Sequence, residues 1–206
     1  MKKIIITISA IALSFGVFAQ RGCNYNTPGW GASLGTISFA TNQTWTIGNQ
    51  TWSDAVTATA CQKNTFNGEG IFSADCRSNS GFPGDLFSWC AVVRFANQLC
   101  PAPWRVPTRQ DFINLDIALG GNGNRIGIRC RGHLNQYIDT WGGAFAGAVL
   151  WDNRSGNSSW GNYWSRSSYR FGIGFSLIIL SDAQMVQPQG HNCKGSGLSL
   201  RCIRDN

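Results

Sequence analysis

The residues best suited to chemistry are eight cysteines: Cys23, Cys61, Cys76, Cys90, Cys100, Cys130, Cys193 and Cys202. They are candidates for disulfides, metal ligands or nucleophiles. Zinc sites usually bring two ligands close together in sequence. This chain has no Cys-x-x-Cys pair, and its only histidines are His133 and His191. An even cysteine count behind an export signal points to disulfides. Roughly a hundred pairings are open to eight cysteines, so spacing alone selects none.

Catalytic constellations are sparse. Ser-His-Asp chemistry needs a placed imidazole, and both histidines sit beside glycine or asparagine in loop-type sequence. Glycosidases use two carboxylates roughly 5 to 9.5 Å apart. Glu69 is the only glutamate, and no acid pair stands out. The sequence therefore reads as noncatalytic.

Binding chemistry has better material. Trp141, Trp151, Trp160 and Tyr163 interleave with asparagine and serine. Such rings have apolar faces and polar edges that suit glycan or protein contact. The same rings also suit the core of a loop-rich fold. Trp151-Asp152-Asn153 raises calcium-dependent sugar binding. Calcium takes about six to eight oxygens, several from carboxylates. Asp139 and Asp152 are the only acids of that region, so no cofactor is expected, with calcium as the one alternative.

Net charge is +7, and charged residues make up 13% of the chain. The basic residues are scattered singly, unlike the clusters of nucleic-acid-binding proteins, so no nucleic-acid partner is expected.

The elements that must position these residues can be outlined. Thr36 to Phe39 and Thr44 to Ile47 read as short strands. Thr51 to Ala60 suits either strand or helix. Residues 62 to 84 are rich in Asn-Gly, Ser-Gly and Pro-Gly and read as loop, bracketed by Cys61 and Cys76. Asp85 to Cys100 predicts a helix from its spacing of Leu86, Trp89, Val93 and Ala96, with Asp85 as N-cap. A second helix follows Pro107, with Thr108 and Asp111 as an acidic capping box and Phe112, Leu115, Ile117 and Leu119 on its buried side. Gly120 and Gly121 stop it. Residues 120 to 161 form a long glycine- and asparagine-rich region. Strands return at Tyr163 to Ser168, Gly172 to Leu180 and Gly197 to Ile203.

The beginning of the chain has the pattern of a secretory leader over residues 1–19. Lys2 and Lys3 precede an apolar run from Ile4 to Phe18, and Val17 and Ala19 suit a cut before Gln20. The run is short for a membrane span, and no later one is longer. The chain is expected in the periplasm, at the outer surface or outside the cell.

Four strings occur in a telling order. They are residues 84–92 (Gly-Asp-Leu-Phe-Ser-Trp-Cys-Ala-Val), residues 100–108 (Cys-Pro-Ala-Pro-Trp-Arg-Val-Pro-Thr), Tyr163-Trp164-Ser165, and Leu200-Arg201-Cys202-Ile203-Arg204-Asp205. In this order they resemble the Fibrobacter succinogenes major paralogous domain family, over roughly residues 36 to 206. Pro103 departs from its usual glycine. The resemblance implies an α+β, C-type-lectin-like fold, of the kind shared with formylglycine-generating enzymes. Such a fold packs two helices on small antiparallel sheets with a long-loop region, behind an arm at 20–35. It further implies pairing of Cys100 with Cys202. Cys130 with Cys193 would then close the long loop region, Cys61 with Cys76 would close the loop they bracket, and Cys23 with Cys90 would remain. The functional expectation is a bacterial binding or adhesion module that meets glycan or an envelope or surface protein through its long-loop face. The alternatives are a structural subunit of a surface assembly and a formylglycine-generating-type oxidase. The first reading places the ligand against Trp141, Trp151, Asp152, Asn153, Trp160 and Tyr163.

Overall fold

The computed structural model describes residues 34–38, 43–62, 76–150, 153–156 and 158–206. The expected leader and Cys23 lie outside the described residues. Among those described, no helix is long and apolar enough to cross a membrane.

The first half of the chain makes short pieces. Strands β1 (Ile37–Ser38), β2 (Trp45–Ile47), β3 (Gln50–Ala55) and β4 (Thr57–Ala58) lead into α1 (Thr59–Gln62). The stretch that suited either strand or helix is both in turn. Strands β5 (Cys76–Arg77) and β6 (Leu86–Phe87) then pair with each other. Two short helices follow, α2 (Trp89–Arg94) and α3 (Ala96–Leu99). The expected helix thus starts later than its periodicity suggests, because Leu86 and Phe87 are taken by a strand. Its N-cap is Ser88, whose hydroxyl accepts the Ala91 N–H at 3.1 Å. The Asp85 carboxylate instead accepts the Ala58 N–H at 2.9 Å, and burial pushes its pKa up.

Helix α4 (Arg109–Ala118) begins with the predicted capping box of Thr108 and Asp111. Phe112 and Leu115 are buried, whereas Ile117 is 55% exposed and does not join the core. Beyond it come β7 (Ile128–Arg129), α5 (Arg131–Asn135), a π-helical turn (Gln136–Thr140), β8 (Ala148–Leu150) and β9 (Asn153–Ser155). The long region is therefore partly regular.

The chain closes with β10 (Trp160–Arg170), β11 (Ile173–Leu180), β12 (Met185–Cys193) and β13 (Arg201–Asp205). The largest sheet is antiparallel, in the order β10-β11-β12-β7, and β13-β3-β2 forms a second one. Strand β12 had no counterpart in the sequence reading. Pro188 and Gly190 interrupt its pattern, and its pairing with β11 is irregular between Ser176 and Ile178, where a proline is tolerated.

Alternation along β10 divides the interior. Trp164 joins a cluster with Phe87, Val92, Leu99 and Leu200. Its neighbour Tyr163 faces the other way, into a cluster with Trp52, Phe112, Trp141, Leu177 and Ile203. Trp52 stacks on Phe112 with ring centroids 5.5 Å apart. The Trp164 indole N–H donates to the Phe87 carbonyl at 2.7 Å.

Two disulfides join described residues, Cys61 to Cys76 and Cys100 to Cys202. The second ties the end of α3 to β13 across 102 residues. Cys90 is also disulfide-bonded, and its expected partner Cys23 lies outside the described residues. The expected bond between Cys130 and Cys193 is not formed, and both thiols are free and exposed. Strand β7 pairs with the start of β12, Arg129 opposite Met185, whereas Cys193 ends β12. Eight residues of strand separate the two sites, about 25 Å.

Candidate functional site

The aromatic residues expected at the ligand face are placed mainly inside. Trp141 is fully buried and Tyr163 nearly so. The Trp141 ring meets those of Trp52, Tyr137 and Tyr163 edge-on. The Tyr163 hydroxyl donates to the Ala144 carbonyl and accepts the Ala144 N–H. Trp160 is half-buried over Gly156, where an added Cβ would lie 2.2 Å from the indole. Asn153 opens β9, and Trp151 and Asp152 lie outside the described residues. Trp141 and Tyr163 are thus core rings and present no ring to a ligand. A region poor in regular elements has few aliphatic side chains to bury, and its large rings fill the space.

Arg201, in the last of the four strings, is buried beside them. Its guanidinium lies between Trp45, at 4.1 Å, and Trp141, at 4.3 Å. It donates to the carbonyls of Ser53 and Trp141. No carboxylate pairs with it among the described residues, and burial pulls its pKa down to about 10.

A buried cluster forms around Asp116. Its carboxylate meets His133 Nε2 at 2.8 Å and accepts from the Tyr137 hydroxyl at 2.9 Å and the Gly123 N–H at 2.8 Å. Burial, with Asp116 beside it, pushes the Tyr137 pKa well up. Among the described residues no serine, threonine or cysteine bonds His133, so the Asp-His pair has no nucleophile to activate. Cys202, committed to Cys100, is likewise withdrawn from any redox pair with Cys193. No group of three metal-ligating side chains occurs among the described residues.

Two surface hollows stand out. The larger, about 510 Å³, is lined by Asn49, Gln50, Asn114, Asp205 and Asn206, among others. Several of its polar groups are already engaged. Gln50 donates to Asp111, Asp205 accepts from Arg105, and Asn206 accepts from Thr51.

The second, a groove of about 420 Å³, lies where residues 125–129 run beside β12. Arg125, Ile126 and Arg129 form one wall, and Gln187, Gln189 and His191 the other. The walls are held together from within. The Gln189 side chain accepts from Arg109 of α4 and donates to the Gly123 carbonyl. Asp116 holds the N–H of the same glycine. Gly127, at φ +75°, lets the loop lie against β12, since a Cβ there would come within 2.0 Å of the Val186 carbonyl oxygen.

The groove is electropositive. Among the described residues, Arg125, Arg129 and Arg170 make no ion pair, whereas Arg105 pairs with Asp111 and Asp205. No acid lines the groove. Tyr169 of β10 stacks with His191 at 5.2 Å and lies beneath the Arg125 guanidinium at 5.0 Å. Partial burial, and then Arg125 and Arg170, push the His191 pKa down. The sequence reading missed these residues because Arg125 and His191 are 66 positions apart. Only the pairing of β7 with β12 brings them together.

Comparison with protein-family models, with curated proteins and with solved structures gives no match.

Proposed function

We propose that this chain is an exported, noncatalytic binding module of the bacterial envelope or surface. In this reading it is a member of the Fibrobacter succinogenes major paralogous domain family, with a C-type-lectin-like arrangement. Mixed helices and small antiparallel sheets, the Cys100–Cys202 tie and the four sequence strings support that assignment. Disulfides favour an oxidising compartment.

The observation that carries the binding reading is the groove between residues 125–129 and β12. It presents arginines without carboxylate partners, on a wall fixed by Arg109, Gln189 and Gly123. A few polar groups converging on a cleft are what orients a ligand there. In this reading the long-loop region contributes Arg125 and Arg129 to the binding face and β12 contributes Gln187 and His191, in place of the expected tryptophans.

A glycan array with the mature protein, with calcium and with chelator, tests this reading. Binding is expected to persist in chelator and to be lost in Arg125→Ala. Binding that survives that change but not the chelator would move the site to the Asp152 and Asn153 segment.

A further inference from the structure

Resting on that reading, we infer that the groove takes an anionic saccharide, one with carboxylate or sulfate groups along the chain.

The charge argument is direct. Arg125 and Arg129 line the groove and Arg170 stands close to His191, without ion-pair partners among the described residues. Half-buried Arg105 is matched by two carboxylates, whereas exposed Arg204 makes no ion pair among the described residues. What sets Arg125 and Arg129 apart is that both line one groove without an acid. Guanidinium groups left unmatched on a fixed wall suit carboxylate and sulfate oxygens, which they bind in bidentate fashion. Arg125 is packed over the Tyr169 ring, so less of its freedom is lost on binding. Tyr169 stacks with His191 and underlies Arg125. Gln187 lines the groove beside them as a donor and acceptor for hydroxyls.

An acidic peptide is the competing ligand, and the fold suits it less. Extended peptides usually add to a sheet edge through main-chain hydrogen bonds. The edge of β12 next to the groove contains Pro188, which has no N–H to give. The Gly123 and Gly127 segment already lies against that edge at Gln189 and Val186. Ile126 and Met185 are the only large apolar side chains of the lining, so there is little to anchor peptide side chains.

The test is calorimetric titration of the mature protein with four probes: an oligogalacturonate, its methyl-ester counterpart, a sulfated oligosaccharide, and poly-glutamate of matched charge. Arg125→Gln and Arg129→Gln are compared with Arg204→Gln, an exposed arginine over Trp104 on β13. Thermal melts confirm that each variant folds. One or both anionic saccharides are expected to bind, more weakly as salt rises. Each groove substitution is expected to weaken binding about tenfold, and Arg204→Gln to leave it unchanged. The preferred probe separates carboxylate from sulfate. Equal binding of the ester and the acid would overturn the anionic inference while leaving the groove as a saccharide site. Preference for poly-glutamate would make the partner an acidic protein and overturn the saccharide. Binding that falls equally in all three variants would be general charge attraction and overturn the inference. Failure of every probe, or binding indifferent to the groove substitutions, would remove both the inference and the groove reading.

Discussion

Asp116 holds His133 Nε2 at 2.8 Å through one carboxylate oxygen, and through the other it accepts the Gly123 N–H at 2.8 Å. One buried acid thus joins α4, α5 and the segment that leads to Arg125. A buried acceptor that keeps several donors satisfied is costly to remove, because each donor is left without a partner. Asp116→Ala is expected to lower stability by about 3 to 5 kcal/mol, and His133→Gln by about 1 to 2 kcal/mol. Urea denaturation measures both. Hydrogen exchange in Asp116→Ala is expected to accelerate at residues 121–129 beyond the rise in the rest of the protein. A uniform rise would show that Asp116 does not specifically fix that segment.

The disulfide arrangement gives a second expectation. The folded, unreduced protein should alkylate at Cys130 and Cys193 and nowhere else among the described cysteines. Peptide mapping should recover Cys61 with Cys76 and Cys100 with Cys202. The latter closes a span of 102 residues, and its loss in the Cys100→Ala/Cys202→Ala double variant is expected to destabilise by about 4 to 5 kcal/mol in the chain-entropy account. A recovered Cys130–Cys193 peptide would contradict the register of β7 on β12.

These features differ in how far the sequence reveals them. The Thr108–Asp111 capping box and the glycine stop after α4 rest on local rules, and the structure shows both. Cys100 and Cys202 come together as the family resemblance implies. Strand β12 is hidden because Pro188 and Gly190 break its alternation, and only tertiary pairing makes it a strand. Tryptophan in a polar loop suits a surface and a core equally. Trp141 is settled by its packing on Trp52, Tyr137 and Tyr163, none of which is adjacent in sequence. The groove is less legible still, since its two walls are distant segments.

Arg105 and Asp111 form a bidentate pair, with nitrogen–oxygen distances of 2.6 and 2.9 Å. Burial raises the Asp111 carboxyl, but Arg105 and the Thr108 N–H and hydroxyl more than offset it, so its pKa lies below the ordinary value. A carboxylate held down in the folded state stabilises fully above its unfolded pKa, about 4, and this is lost as pH falls through the folded value. Asp111→Asn is expected to cost about 2 to 4 kcal/mol at neutral pH, from the lost pair and the weakened helix cap. The gap from wild type should begin to narrow below about pH 4 and shrink further as pH falls toward the lower folded value. Urea midpoints between neutral pH and pH 3 check this, and a constant gap would show that the charge of Asp111 is not the source.

His191 offers the last prediction, which concerns ligand affinity. Partial burial, then Arg125 and Arg170, push its pKa below the ordinary value, and Tyr169 stacks on its ring. An anion placed among these cations would offset their repulsion and raise that pKa, so binding should take up a proton. Affinity for an anionic saccharide is then expected to rise as pH falls below the ordinary imidazole value of about 6.5. A uronate ligand stays ionised in this range, since carboxyl groups titrate near pH 4. Titrations at pH 7.5, 6 and 5, in buffers of different ionisation enthalpy, measure both the affinity and the proton uptake. His191→Gln should flatten the pH response while retaining binding through Arg125 and Arg129. A pH response that persists in His191→Gln would assign the proton to another group and place the ligand away from Tyr169.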